Sequence, residues 1–479
     1  MKFNKILKLT IPILAVTTFF MVCDSNRMNI SDRNNKQGLC AYGTPFKMSA
    51  VAKTKFQNKN FNITDYGAKS DGTTENTTAF AEAISQCNKA GGGRVVVPAG
   101  NWLTGPIKLK SNVNLYLQDD ATVIFSKDLN DYKKADTKKS SADEFENFIS
   151  GENLNNIAIT GNGVFNGNGD NWRPVKKVKV TDIVWNSFVD KGAVIDSTGT
   201  LLWPSKDVKD IKRPNLLKLN DCKTVLIDGP TFKNSPQFNV DVTSSENVII
   251  QNAEVNNQNW AQNTDGIDIT SCKNVMMNND TINTGDDGIC MKSNLSNKSK
   301  GNEPTLENVV IENCTVNYAH GGFVIGSNTY GGMKNIYVHN CTYAGTEAGL
   351  RFKSDIGDGG DVQEVYIDKV NMKDIVTDAI VFDTNYEGKS TANKANVKVP
   401  NFHNIYISNI SCDGAKEAAD IKGLTSMPVS NLYLKNINIK SINGFIAENT
   451  SNVNLDNVKV VPSQGKAFTF KNSMGYKFA

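Results

Sequence analysis

The sequence lacks an excess of either charge. Its 479 residues carry 52 lysines and arginines against 49 acids, and Lys2, Lys5 and Lys8 fall in the first 23 residues, where there is no acid. The remainder holds 49 of each sign, a balance that gives no reason to expect a nucleic-acid partner. A membrane-spanning run is also missing, because the apolar stretch Leu9 to Val22 is too short for a bilayer. Nor is there a disulfide framework, although nine cysteines are present. Cys222, Cys272, Cys314, Cys341 and Cys412 recur beside the same short phrase, which makes them equivalent points of a repeat. There a free thiol serves as a small buried apolar group.

What is present begins with an export signal over 1–23: three lysines, then the apolar stretch, then Cys23. A cysteine at that point is expected to carry a lipid after cleavage, which anchors the protein in the periplasm or at the cell surface; simple secretion is the alternative. Residues 24–55 are polar and aperiodic and read as a tether. A content of 39% hydrophobic and 21% charged residues marks a globular chain, so 56–479 are expected to form one folded domain.

That domain repeats itself. A polar residue, mostly Asn, followed by alternating apolar residues opens at Asn112, Asn156, Asn247, Asn274, Asn308, Asn335, Asn404, Asn431 and Asn452, with variants at Thr224 and Glu364. From Thr224 the steps are 23, 27, 34, 27, 29, 40, 27 and 21 residues, the range of a solenoid. No helical period separates the copies, which excludes leucine-rich and helical repeats. Turns every 8–12 residues, the mark of a β-sandwich, are absent as well. Short β-branched runs ended by Asn, Asp, Gly or Ser predict an all-β fold, a right-handed parallel β-helix, with Asn laddering from rung to rung. One helix is predicted, Thr77 to Ala90, placing Phe80, Ile84 and Cys87 on one face and ending at Gly91-Gly92-Gly93. It is placed to cap the first coil. Insertions near 128–150 and 171–210 interrupt the repeat; the second contains Lys176-Lys177, Trp172, Trp185 and Trp203, either loop anchors or part of a binding face.

Ionisable groups concentrate in four segments: Asn263-Thr264-Asp265, Gly285-Asp286-Asp287, Ala319-His320-Gly321 and Arg351-Phe352-Lys353. Asp265 and Asp286 are 21 residues apart, about one coil, and neighbouring rungs lie roughly 4.8 Å apart. Three carboxylates so close cannot all ionise freely, so one is held protonated beside ionised neighbours. Glycoside hydrolysis needs that split. Arg351 and Lys353 share one face of a strand and suit a substrate with its own carboxylate. His339 and His403 lie within repeat phrases and read as scaffold.

The combination Asn263-Thr264-Asp265-Gly266-Ile267-Asp268, Thr284-Gly285-Asp286-Asp287-Gly288-Ile289, His320-Gly321-Gly322-Phe323 and Gly349-Leu350-Arg351-Phe352-Lys353 resembles the polygalacturonases of glycoside hydrolase family 28. Asp65-Tyr66-Gly67-Ala68, Val97-Pro98-Ala99-Gly100 and Asn234-Ser235-Pro236 extend the likeness over about 60–460. The resemblance implies inverting cleavage of α-1,4-linked galacturonic acid in pectic chains, with no cofactor and no metal, and the chain is expected to act as a monomer. It implies Asp286 as general acid, with Asp265 and Asp287 holding the attacking water and His320 supporting the acid. It further implies Arg351, Lys353, Tyr386 and Asn263 as substrate-binding residues. Phe352 and Ala319 are small departures. Asp355 and Asp358, in Asp355-Ile356-Gly357-Asp358-Gly359-Gly360, stand where many bacterial relatives carry arginines, and predict repulsion of a polyanion. A branched pectic glycan such as rhamnogalacturonan is therefore an alternative substrate. A Ca-dependent pectate lyase and a non-catalytic glycan-binding β-helix are the competing readings. Long inserts closing one end of a groove favour exo over endo cleavage.

Overall fold

A computed structural model describes residues 43–134, 145–294, 305–388 and 397–479. The expected signal with Cys23, and the expected tether up to residue 42, lie outside the described residues. The chain winds into a right-handed parallel β-helix. Twelve strands, from Ile107–Lys108 to Phe468–Lys471, stack in chain order as one sheet. A 22-stranded sheet forms the other sides of the coil.

The repeat phrase marks a tight corner. Its first residue is left-handed at every copy, from Asn112 (φ 62°) through Thr224 (56°) and Glu364 (53°) to Asn452 (56°). Asn tolerates that conformation better than most side chains. The amides then bond rung to rung: Asn156 donates to Asn112 (3.0 Å), Asn308 to Asn274 (3.2 Å), Asn335 to Asn308 (3.0 Å) and Asn452 to Asn431 (3.1 Å). A second ladder, which the sequence reading did not identify, follows five residues later. There Asn279 donates to Asn252 (2.8 Å), Asn340 to Asn313 (2.7 Å) and Asn457 to Asn436 (2.9 Å).

Alternation sends one set of side chains into a continuous core and the other outward. The recurring cysteines are buried and free, as their position in the repeat predicts. The helix Thr77–Lys89 buries Phe80, Ile84 and Cys87 and packs across the first rungs. It thereby keeps water and other strands off the open end of the core.

The tether expectation needs correcting at its end. Residues 44–55 are docked on the outer face of the larger sheet. Met48 and Val51 are buried against Ile249, Met276, Val310, Tyr337 and Tyr366, and the side chains of Asn156 and Asn247 accept from Lys55 and Ala52 N–H. The outward apolar residues of those rungs require cover, and this segment supplies it.

The inserts are built on buried aromatics. Tyr132, Phe148 and Trp172 pack together at 4.5–5.8 Å. The second insert forms a small antiparallel sheet, Val175–Lys176, Leu201–Trp203 and Val194–Ile195, and a helix, Asp182–Asp190. Its tryptophans are all buried, so they anchor the loop.

Candidate active site

The twelve-stranded sheet carries the ionisable cluster. Strands Ile267–Thr270, Ile289–Lys292, Gly321–Ile325, Ala348–Lys353 and Asp378–Asp383 lie side by side. Ile267, Ile289, Phe323, Leu350 and Ile380 align and point inward. The residues between them face out, so Asp268, Cys290, Val324 and Arg351 form one outer row. Asp265, Asp286 and Asp287 occupy the turns that lead into these strands. Close approach of rungs sets the glycines: a Cβ at Gly285 would meet Ala261 O at 2.2 Å, and one at Gly322 would meet the Tyr343 ring at 2.4 Å.

The three predicted carboxylates do converge with the predicted cations. Asp287 accepts from Lys353 Nζ at 2.7 Å and from Arg351 at 3.3 Å. Asp286 accepts from Asn263 N–H and from its neighbour Asp287 N–H, both at 3.0 Å. His320 Nδ1 lies 3.1 Å from Asp286 Oδ1. Tyr386 sits over the cation pair, its ring 5.1 Å from Lys353 Nζ and 5.5 Å from Arg351 Cζ, and it is partly open to solvent. Asn263 contacts Asp286 through its backbone; its side chain accepts from Arg213 at 2.7 Å.

Four participants were not singled out from the sequence. Lys292 Nζ lies 2.9 Å from Asp265 and also bonds the buried Asp268. Period-two alternation from Ile289 would have aimed Lys292 outward, but its partners were invisible. Lys179 reaches in from the second insert to Gly285 O (3.0 Å) and His320 Nε2 (2.8 Å). Glu347 lies 3.7 Å from the same His320 nitrogen. Arg213 braces the loop before Asp265 by donating to Pro236 O and Gln262 O, both at 2.9 Å. His339 and His403 pair with Asp368 and Asp361 on the other sheet, in keeping with a scaffold role.

Proton affinities differ across the cluster. Burial pushes Asp265 well up, opposed by Lys292 and reinforced by Asp268, Asp286 and Asp287. Burial also raises Asp268 to about 6 against the pull of Lys292. Asp286 moves the other way: burial favours its protonation, but the hydrogen bond and charge of His320, with Lys353 and Asn263 N–H, outweigh it and hold the carboxyl low. The split differs from the expected one: the raised carboxyl is Asp265 rather than Asp286, and burial rather than like-charge repulsion is the main cause. Arg351 and Lys353 lose to burial and gain more from Asp287, so both are held more firmly charged.

Among the described residues, two groups lie close enough to share an ion: Asp286, Asp287 and His320, and Asp265, Asp268 and Cys290. Protein cations already serve both, Lys353 and Arg351 the first and Lys292 the second. A Ca²⁺ ion needs six to eight oxygen ligands, and these donors do not fit it. One of the two loop aspartates differs from expectation. Asp355 is buried and its carboxylate accepts from Ile356 N–H, so its charge is not displayed to a polyanion.

Residues 60–191 match "Rhamnogalacturonase A/epimerase, pectate lyase-like". Among curated relatives, an exo-poly-alpha-D-galacturonosidase of Dickeya chrysanthemi is 28% identical over 449 residues, covering 86% of this chain and 74% of that protein. A probable polygalacturonase of Vitis vinifera is 27% identical, covering 84% and 79%. Among solved structures, a Thermotoga maritima exopolygalacturonase superposes with a TM-score of 0.70 at 25% identity, covering 86% of this chain and 94% of that one. Over residues 176–464, which include every carboxylate and cation of the cluster, the match is to "Glycosyl hydrolases family 28", and the chain belongs to that family.

Proposed function

We infer that this protein is an exo-acting polygalacturonase, hydrolysing α-1,4-linked galacturonic acid with inversion. One observation carries the reading: three carboxylates, Asp265, Asp286 and Asp287, converge from the turns of two neighbouring rungs beside the paired cations Arg351 and Lys353. The exo-acting relatives support the chain-end mode.

In this reading Arg351 and Lys353 bind the uronate carboxylate next to the scissile bond, and Tyr386 packs on the sugar ring. Asp286 protonates the glycosidic oxygen, while Asp265 and Asp287 hold and activate water on the opposite face. Substrate itself restores the acid. Its carboxylate brings negative charge beside Asp286 and takes up part of the cationic field of Lys353, and both effects raise proton affinity at Asp286. Asn263 supports the acid through its N–H. Export through residues 1–23, with a lipid on Cys23, belongs to the same proposal and places the enzyme where pectic chains are met.

The test is product analysis by mass spectrometry on homogalacturonan, its short oligomers and both rhamnogalacturonans. Monogalacturonate released from chain ends is the expected product. The match over residues 60–191 makes the rhamnogalacturonan arm informative. An unsaturated, ultraviolet-absorbing product, or no product on any member of the panel, defeats the assignment.

A further inference from the structure

His320 lies between two groups of opposite demand. Its Nδ1 faces the Asp286 carboxylate at 3.1 Å, and a carboxylate oxygen in that position accepts, so Nδ1 carries a hydrogen. Its Nε2 lies 2.8 Å from Lys179 Nζ. An ammonium only donates, and this one also donates to Gly285 O at 3.0 Å. Nε2 must then present its lone pair. A second ring proton would set two donors head to head.

We propose that Lys179, delivered by the insert at 171–210, is a positioning residue that keeps His320 in the neutral Nδ1–H form, so that the proton shared by the His320–Asp286 pair rides on the acid. The inference rests on the reading of Asp286 as proton donor. The balance is simple. One proton beyond Nδ1–H is available to the pair, and it can occupy either His320 Nε2 or the Asp286 carboxyl. Lys179 blocks the first place. The charged groups facing the pair are Lys179 from the insert, Glu347 from the turn before Ala348–Lys353, Arg351 and Lys353 from that strand, Asp265 and Asp287 from the turns of neighbouring rungs, and Arg213 from the loop that braces Asn263. Glu347, 3.7 Å from Nε2, would stabilise an imidazolium, and Lys179 stands against it. The charge that holds Asp286 low requires that imidazolium, so Lys179 weakens the hold.

The experiment uses the full-length enzyme and two variants, Lys179→Met and Lys179→Arg. Ring-nitrogen ¹⁵N shifts, with the His320 signals assigned by loss in His320→Gln, report the tautomer without any substrate. The wild type should show a protonated Nδ1 and an unprotonated Nε2. In Lys179→Met the Nε2 should gain a proton. The rate profile on trigalacturonate gives the second readout. Without Lys179 the proton moves to the ring, so the plateau of kcat should fall about tenfold, equivalent to one unit of proton affinity. Its upper limb should move to higher pH, because removing a neighbouring cation makes the pair hold its proton more tightly. Lys179→Arg keeps donor and charge and should recover most of the rate. A merely structural role would lower the plateau and leave the limb in place. An imidazolium or an Nε2–H tautomer in the wild type overturns the proposal, as does an unchanged ¹⁵N pattern in Lys179→Met. If the wild type cleaves no galacturonan, the assigned function fails while the ¹⁵N result still decides the tautomer.

Discussion

Lys292 offers the sharpest test of how this site is held together. It is the one cation among the described residues that bonds both Asp265 and Asp268, and both acids are buried. Consider Lys292→Met, which keeps the apolar stem and removes the charge. At 2.9 Å from Asp265 and an effective dielectric near 20, the attraction forgone is about 6 kcal/mol. The folded protein recovers part of this by protonating the stranded acids, and breaking a buried pair costs about 3–5 kcal/mol in practice. For a chain of this size that is about 3–6 °C of Tm. The sign with pH follows from linkage. Both acids already have raised proton affinity in the folded state, Asp268 to about 6. A raised acid contributes stability that is fully present below its unfolded value, near 4, and is lost as pH rises through its folded value. Without Lys292 the folded values climb further, so the variant should lose little at pH 4 and the full amount at pH 7. Calorimetry at the two pH values, with Lys292→Met/Asp268→Asn as the compensated variant, reads this directly. An equal loss at both pH values, or no recovery in the double variant, would refute the argument that Lys292 neutralises this pair.

Other outcomes bear on the chemistry. Asp286→Asn should reduce release of reducing ends by about 10²–10⁴-fold while circular dichroism stays unchanged; retained activity would remove Asp286 from its role. Arg351→Ala should lower kcat/KM on galacturonan by about ten- to a hundredfold, the loss of one charge-assisted contact, and should narrow the preference for free over methyl-esterified substrate. An unchanged preference would place uronate recognition elsewhere. Incubation with a chelator should leave the rate unaltered, because Lys292, Lys353 and Arg351 already neutralise the carboxylates; a fall restored by Ca²⁺ would contradict that.

The sequence announced the coil through residues that have a local duty. Asn at the start of each phrase adopts the left-handed corner and bonds the next rung, so the fold's period is written wherever that duty recurs, even at Thr224 and Glu364, where other residues take the corner. The second ladder went unread because Asn252 and Asn279, like Asn313 and Asn340, follow the strands as ordinary turn residues, and only stacking pairs each with the next. The docked segment 44–55 looked like a tether because its apolar residues, Met48 and Val51 among them, follow no helical or strand period and meet a surface assembled from many distant rungs.

The same division runs through the site. Asp265, Asp286, Asp287, His320, Arg351 and Lys353 were legible because each sits in a motif at a fixed step along the coil, and the winding converts that step into proximity. Their protonation was not legible. Lys179 enters from an insert 141 residues before His320, and Lys292 pairs across one rung with Asp265 and Asp268. Sequence determined which groups the coil would gather, because a repeat fixes position by counting residues. Only the tertiary structure decided which acid is raised and which is held low, because proton affinity depends on burial and on charges a few ångströms away, distances that counting along the chain does not supply.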